Sequence, residues 1–278
     1  MERALREAGA EVSIRRVPGA ELGSAARAAA GESEIVAALG GDGTVNAVAA
    51  ALAGSPTPLL VLPAGTLNHF ARDLALPLDA AAAALLVRDG ARRVVDVADV
   101  NGRVFVNNSS IGAYPLAVAL RERLQEAGAG GKWVSMARAA LRTFRRFPTL
   151  HVRVAGDDGE IELETPFVFV GNNAYGGDGV GAGERARLDG GRLGVVTAEA
   201  TTRRQAARIA ALTALGRLDA ASAVWRGEPV ELTVQTDRAA LLVSLDGEVV
   251  QLETPLHYRS RPGALVVIGL RQPGSPAQ

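Results

Sequence analysis

Five consecutive residues, Gly40-Gly41-Asp42-Gly43-Thr44, carry the clearest chemical signal in the chain. They follow the apolar run Ile35-Val36-Ala37-Ala38-Leu39 and open a helix-forming stretch over 44–53. Glycines at a strand-to-helix turn let the backbone approach a bulky anion, and the helix start adds unpaired amides and the positive end of a dipole. That combination suits phosphate oxygens. Asp42 would itself repel a phosphate, so it is expected to work through a magnesium ion or to orient the loop. Asn46, one turn further on, can hydrogen-bond a phosphate or the loop. The plain alternative is a tight turn with Thr44 as helix N-cap, but three glycines around one acid favour binding. A second turn repeats the design, with Leu59-Leu60-Val61-Leu62 running into Pro63-Ala64-Gly65-Thr66-Leu67-Asn68. Ligands of open α/β sheets sit in the crevice beyond the strand ends. The two turns would then face one site, with Gly65, Thr66 and Asn68 on ribose or phosphate, although the second turn taken alone reads more simply as helix capping. A Walker A loop is excluded, because the single lysine, Lys132, lacks both the upstream glycine and the following Ser or Thr. Any phosphate grip falls to amides, arginine and metal.

These turns need a sheet to carry them. Residues 11–17, 35–39 and 59–62 read as strands, alternating with helices at 22–30, 44–53, 67–74 and 80–87, a rhythm that predicts a parallel sheet covered by helices. The character changes near residue 93. Runs 94–100 and 103–107 flank Asn101-Gly102, a strong hairpin signal. Helices are predicted at 114–127 and 132–146, then strands at 150–155, 161–164, 167–171, 193–198, 230–236, 240–245, 248–252, 256–261 and 264–270, with one helix at 203–215. The expected fold is an N-terminal Rossmann-like parallel α/β domain over 1–92, apparently lacking its first strand, and a C-terminal antiparallel β-sandwich domain over 93–271. Residues 272–278 form a frayed tail.

The first turn, Gly40 to Asn46, followed by Leu62-Pro63-Ala64-Gly65-Thr66-Leu67-Asn68-His69-Phe70-Ala71-Arg72, resembles the lipid kinase family that includes diacylglycerol and sphingosine kinases. The likeness continues through Val95-Asp96, Val104 to Gly112, Gly171-Asn172-Asn173, Leu188-Asp189-Gly190-Gly191-Arg192-Leu193 and Leu245-Asp246-Gly247-Glu248. It implies an ATP site between the two domains, and a lipid entering from the second. Spacing alone makes Asp246-Gly247 a hairpin turn; the resemblance makes Asp246 the general base and Glu248 its assistant. It also implies a magnesium ion on an Asp three residues before a leucine. Counting back from Leu193 gives Gly190, so either Asp189, one position early, is the metal candidate through a shifted loop, or the site is absent and Asp189 is a plain turn residue. Family members open with a strand and an Asn-Pro-containing glycine loop, whereas Met1 here falls in what reads as the following helix, which suggests a truncated start.

The implied activity is ATP-dependent phosphorylation of a lipid hydroxyl, with diacylglycerol giving phosphatidic acid, in phospholipid metabolism. The alternatives are an NAD kinase-like enzyme, whose Asn-Glu pair is not found here, and a non-catalytic nucleotide- or lipid-binding homologue. Balanced charge, with 30 basic and 30 acidic residues, speaks against nucleic acid as the partner. Absence of cysteine removes disulfides and thiolate chemistry. His69, His151 and His257 show no ligand spacing, and no G-x-S-x-G turn exists. With 48% apolar residues but no run long enough to span a bilayer, the chain is expected to be cytoplasmic, peripheral at the inner membrane face, with room for a homodimer. The basic amphipathic stretch 132–146 could dock on anionic lipid, although packing on the core is the simpler reading.

Overall fold

The computed structural model describes residues 1–112, 149–157, 159–176, 185, 187–214 and 224–271. Strand β1 (Val36–Gly40) pairs in parallel with β2 (Leu59–Pro63), Val36 opposite Leu59 through Gly40 opposite Pro63. Every position of β2 is buried, as expected of a strand covered on both faces. Helices α1 (Glu2–Glu7), α2 (Leu22–Ala30), α3 (Asp42–Leu52), α4 (His69–Asp73), α5 (Ala80–Ala84) and α6 (Leu86–Asp89) surround this sheet. Ala49 and Leu52 of α3, Phe70 of α4 and Leu74 fill the first core against Leu59 to Leu62.

The chain then turns antiparallel. Strands β3 (Ala91–Val100) and β4 (Arg103–Phe105) form a hairpin at Asn101 and Gly102, whose φ values of 48° and 79° are the paired positive angles of a type I′ turn. β5 (Asn108–Gly112) follows, then β6 (Leu150–Gly156), β7 (Gly159–Thr165), β8 (Phe167–Asn172), β9 (Leu193–Ala198), helix α7 (Arg203–Ala214), β10 (Val224–Gly227), β11 (Glu231–Thr236), β12 (Ala240–Leu245), β13 (Glu248–Glu253) and β14 (Leu256–Gly269). One sheet runs β1-β2-β14-β11-β6-β7, with β3 and β4 joined through β14; the other runs β10-β9-β8-β5-β12-β13. Leu150, Val152 and Phe105 of the first meet Ile111, Val170, Val195 and Val243 of the second in an apolar sandwich core. The architecture is therefore a parallel α/β unit continued by an antiparallel β-sandwich.

β14 joins the two cores. Leu256 and Tyr258 lie in the sandwich, whereas Leu265, Val267 and Ile268 return to the α/β core. The sequence reading split this segment at Pro262-Gly263. In the structure the ladder with β3 shifts register between Arg261 and Leu265, and Gly263 has φ 62°, so the pair is a bulge inside one strand. Residues 11–17 form no strand. Val12 packs against the core, but Ile14 is 53% exposed and the segment has no ladder partner among the described residues. The helix expected over 67–74 starts only at His69, because Gly65 to Asn68 are consumed by the turn. Strands β5 and β10 were not foreseen. The expected helices at 114–127 and 132–146 and the tail 272–278 lie outside the described residues, as does the basic stretch.

Candidate active site

The two glycine turns touch. A Cβ built on Gly65 would lie 2.6 Å from Gly41 Cα and 2.9 Å from Asn68 Oδ1; one on Gly40 would lie 2.5 Å from Thr44 Oγ1. Only hydrogen fits there. The Ala64 N–H donates to the Gly40 carbonyl at 2.9 Å, lacing the turns at their bases. Asn68, in the left-handed region at φ 51°, closes the second turn: its Oδ1 accepts from the Gly65 N–H at 2.9 Å and its Nδ2 donates to the Gly65 carbonyl at 3.0 Å. Asp42 bridges the turns, its carboxylate accepting from the amides of Asn68 at 2.9 Å and His69 at 2.6 Å. Both oxygens serve α4 and the second turn.

Helix α3 starts at Asp42 with Gly41 as its N-cap and no side-chain cap, so Thr44 lies within the first turn and is not the cap. Val45 N–H is the first seen to bond back, to the Gly41 carbonyl at 3.1 Å. The amides ahead of it have no intrahelical acceptor. Asn46 is 8% exposed, and its Nδ2 finds no partner among the described residues. A buried amide left without an acceptor costs about 1–3 kcal/mol, and a phosphate oxygen would relieve that cost. Glycines, helix-start amides without an intrahelical acceptor and a donor with no partner among the described residues together fit a polyphosphate. Thr66 stands exposed in the second turn.

Asp246 arrives from the other lobe. It and Gly247, at φ 51° and 92°, form the tight turn between β12 and β13, so hairpin and site coincide. The Asp246 N–H donates to the Asn108 carbonyl at 2.8 Å. Its Oδ2 accepts from the Val106 amide at 2.8 Å, and its Oδ1 from the amides of Asn107 at 2.8 Å and Asn108 at 3.0 Å. Burial pushes the carboxyl pKa up to about 6, against the opposing pull of the three amides and of the Arg185 charge. Such a carboxylate can act as a base near neutral pH. Glu248, exposed at the start of β13, places Oε1 3.8 Å from where a Cβ on Gly43 would stand. The hairpin carrying Asp246 therefore faces the first glycine turn.

Sequence reasoning missed the cradle around Asp246. Asn107 Nδ2 donates to Asn46 Oδ1 at 3.4 Å, Asn172 Nδ2 binds the Asp96 and Val106 carbonyls at 2.9 and 3.0 Å, and Arg185 forms a buried ion pair with Asp73 at 2.6 Å. Asn107-Asn108 and Asn172-Asn173 lie within the stretches of family likeness, but no local pattern tied them, Arg185 or Asp73 to Asp246.

The loop at Asp189 does not fit a magnesium site. Asp189 is exposed and its Oδ1 accepts from Arg187 Nε at 3.1 Å. Gly190 brings no carboxylate, and a Cβ there would lie 2.6 Å from Asn173 Oδ1. The loop is instead tied by protein groups: Gly190 N–H to Asn173 Oδ1 at 2.9 Å and Gly191 N–H to Asp96 Oδ2 at 2.7 Å. Asp96 Oδ1 also accepts from the Gly263 amide at 2.8 Å, at the bulge of β14. Among the described residues no three of His, Asp and Glu converge.

Residues 1–100 match the diacylglycerol kinase catalytic domain, and residues 118–269 match the YegS C-terminal NAD kinase beta sandwich-like domain. A protein of Pseudomonas aeruginosa named "probable lipid kinase YegS-like" is 36% identical over 203 residues, covering 69% of this chain and 64% of its own length. A protein of the same name from Pseudomonas savastanoi pv. phaseolicola is 31% identical over 242 residues, 86% of this chain and 76% of its own length. The crystal structure of a candidate diacylglycerol kinase of Bacillus anthracis str. Sterne superposes with a TM-score of 0.72 at 24% identity, over 96% of this chain and 88% of that one, which shows a shared fold. The chain spans just under two thirds of the Pseudomonas aeruginosa protein, and the match to the second domain alone covers more than half of the present chain. With both domains matched in order, the chain belongs to the YegS-like lipid kinase family.

Proposed function

We propose that this chain transfers the γ-phosphoryl group of ATP to a lipid hydroxyl, and that diacylglycerol, converted to phosphatidic acid, is the first acceptor to test. The amides ahead of Val45, the turn at Gly65 and Asn46 Nδ2 would hold the phosphates, with the helix dipole adding favourable charge. Asp246 holds the lipid hydroxyl and takes its proton. The hydroxyl oxygen forms a bond to the γ-phosphorus as the bond to the bridging β,γ-oxygen breaks, and ADP leaves. Glu248 lies beside the first glycine turn and would orient the acceptor. Phosphoryl transfer relies mostly on positioning and charge stabilisation, which a rigid amide cradle can supply. Magnesium is expected to accompany the triphosphate as part of the substrate.

One observation carries the reading: a carboxylate with its pKa raised to about 6 sits on the hairpin whose next acid, Glu248, faces Gly43. A lipid acceptor would be met at a membrane surface, with the enzyme peripheral to the cytoplasmic face; among the described residues no helix is long and apolar enough to cross a membrane. Incubating the full chain with γ-labelled ATP and vesicles carrying diacylglycerol, monoacylglycerol, sphingosine or phosphatidylglycerol tests the proposal. Label in one chloroform-soluble product supports it. Label in no lipid, or transfer to NAD instead, would reject it.

A further inference from the structure

The peptide group joining Val106 to Asn107 is held from both sides. Its N–H donates to Asp246 Oδ1 at 2.8 Å, while its carbonyl accepts from Arg185 Nη1 at 2.6 Å and Asn172 Nδ2 at 3.0 Å. A cation on the carbonyl oxygen polarises the amide and makes its N–H a stronger donor, as in hydrogen-bond chains of low-dielectric interiors. Arg185 is fully committed to this neighbourhood. Its Nε and Nη2 bind Asp73 Oδ2 at 2.9 and 2.6 Å. Nη2 also reaches Asn107 Oδ1 at 3.1 Å, and Nη1 takes the Asn172 carbonyl at 3.0 Å beside that of Val106. A guanidinium has five N–H donors, and all five are used. The Arg185 side chain has no exposed surface, and that of Asp73 is 8% exposed. Stability alone is a weak reason to bury such a pair, because desolvation offsets much of the attraction.

We propose that the buried Arg185–Asp73 pair positions Asp246, acting through the Val106–Asn107 peptide and the Asn107 side chain. The inference rests on Asp246 being the base, as proposed above. Because Asn107 also binds Asn46, the same pair links the base to the helix of the first glycine turn. Among the described residues, the titratable groups near Asp246 include Arg185, Asp73 behind it, Tyr175 and Glu248. The Tyr175 ring centroid lies 5.8 Å from the guanidinium carbon, and its hydroxyl accepts from Asn108 Nδ2 at 3.3 Å. Arg185 is the cation of this set, and its charge lowers the Asp246 pKa from where burial alone would put it.

The test compares Arg185→Gln and Asp73→Asn with the wild type in kcat, KM for ATP and the pH dependence of kcat/KM. Separately, the Asp246 carboxyl is titrated by 13C NMR in the labelled chain. Removing a nearby opposite charge should raise the midpoint by about one unit in Arg185→Gln, lower kcat most below pH 7 and leave KM for ATP in place. Asp73→Asn removes a negative charge and should move the midpoint down. Opposite shifts cannot come from a merely loosened fold. Arg185→Lys keeps the charge without the five-donor fork and should keep the wild-type midpoint at reduced kcat. If both Arg185→Gln and Asp73→Asn lose activity while the Asp246 midpoint stays at about 6, the pair is structural and the proposal is overturned. The NMR titration needs no turnover, so a wild type that phosphorylates no lipid would count against the proposed activity and still leave this inference decided.

Discussion

Gly65→Ala isolates the contact between the two turns. No positive φ demands glycine there, so the substitution adds volume without backbone strain. The new Cβ would lie 2.6 Å from Gly41 Cα, where carbon atoms normally settle at about 3.5–4.0 Å. Neither atom can rotate away, because one is backbone and the other is fixed to it. The turns must part by about 1 Å, an overpacking that costs about 1–3 kcal/mol. The Asn68 lock is strained as well, since its Oδ1 would lie 2.9 Å from the same Cβ. Thermal unfolding should show a Tm lower by several degrees, at about 2–4 °C per kcal/mol for a domain of this size. If the turns jointly hold the triphosphate, calorimetric titration should show ATP affinity reduced about tenfold for each 1.4 kcal/mol that falls on the bound state. Gly19→Ala, with nothing within 4 Å of its Cβ, is the control and should change neither. A Gly65→Ala protein with lowered Tm but wild-type ATP affinity would refute the claim that the turns form the phosphate site.

Further outcomes follow from the Asp246 cradle and the bridge at Asp42. Asp246→Asn should lower kcat by about 10²–10⁴-fold, the usual contribution of a general base, with ATP affinity retained; turnover near wild type would remove Asp246 from the mechanism. The same variant turns an amide NH2 toward at least one backbone N–H and should lose about 1–3 kcal/mol of stability, read as a shifted denaturant midpoint. In the wild type, kcat/KM should rise with pH through a midpoint of about 6 and level off above it. The sign for stability is opposite: a carboxyl whose folded pKa exceeds its unfolded value of 3.8 contributes most at acid pH, and that contribution is lost as pH climbs from about 4 to 6. An activity profile flat from pH 5 to 8 would contradict the raised pKa. Asp42→Ala removes two hydrogen bonds, to Asn68 and His69, and should release the start of α4. Faster amide exchange at Asn68 and His69 would show it, and unchanged exchange would count against the bridge.

Much of the α/β unit can be read locally. Four consecutive apolar residues, Leu59 to Leu62, bounded by prolines announce a strand buried on both faces, and Asn101-Gly102 announces its hairpin. The turns at Gly40 and Gly65 are legible because glycine at a strand end has few other uses. What stays hidden depends on distant pairing. β5 is written Asn-Ser-Ser-Ile-Gly, with little strand character, and is buried only because β8 and β12 flank it. Arg185 stands in a glycine-rich stretch and meets Asp73 across 112 residues, so no local pattern marks it. Residues 11–14 alternate polar and apolar as a strand can, but a local pattern cannot supply a ladder partner. Asp246 sits between these cases: its turn is legible from Asp-Gly, whereas the three amides that cradle it come from about 140 residues away.

The most direct test of the proposed mechanism is a crystal structure of the full chain with a magnesium-bound, non-hydrolysable ATP analogue. An acceptor oxygen fits between base and phosphorus at about 2.6–3.2 Å from the one and 3–3.5 Å from the other. The γ-phosphorus should therefore lie about 5–7 Å from the Asp246 carboxylate, with the other phosphates on the amides before Val45 and at Gly65. A triphosphate bound away from both glycine turns, or a γ-phosphorus more than about 10 Å from Asp246, would contradict it.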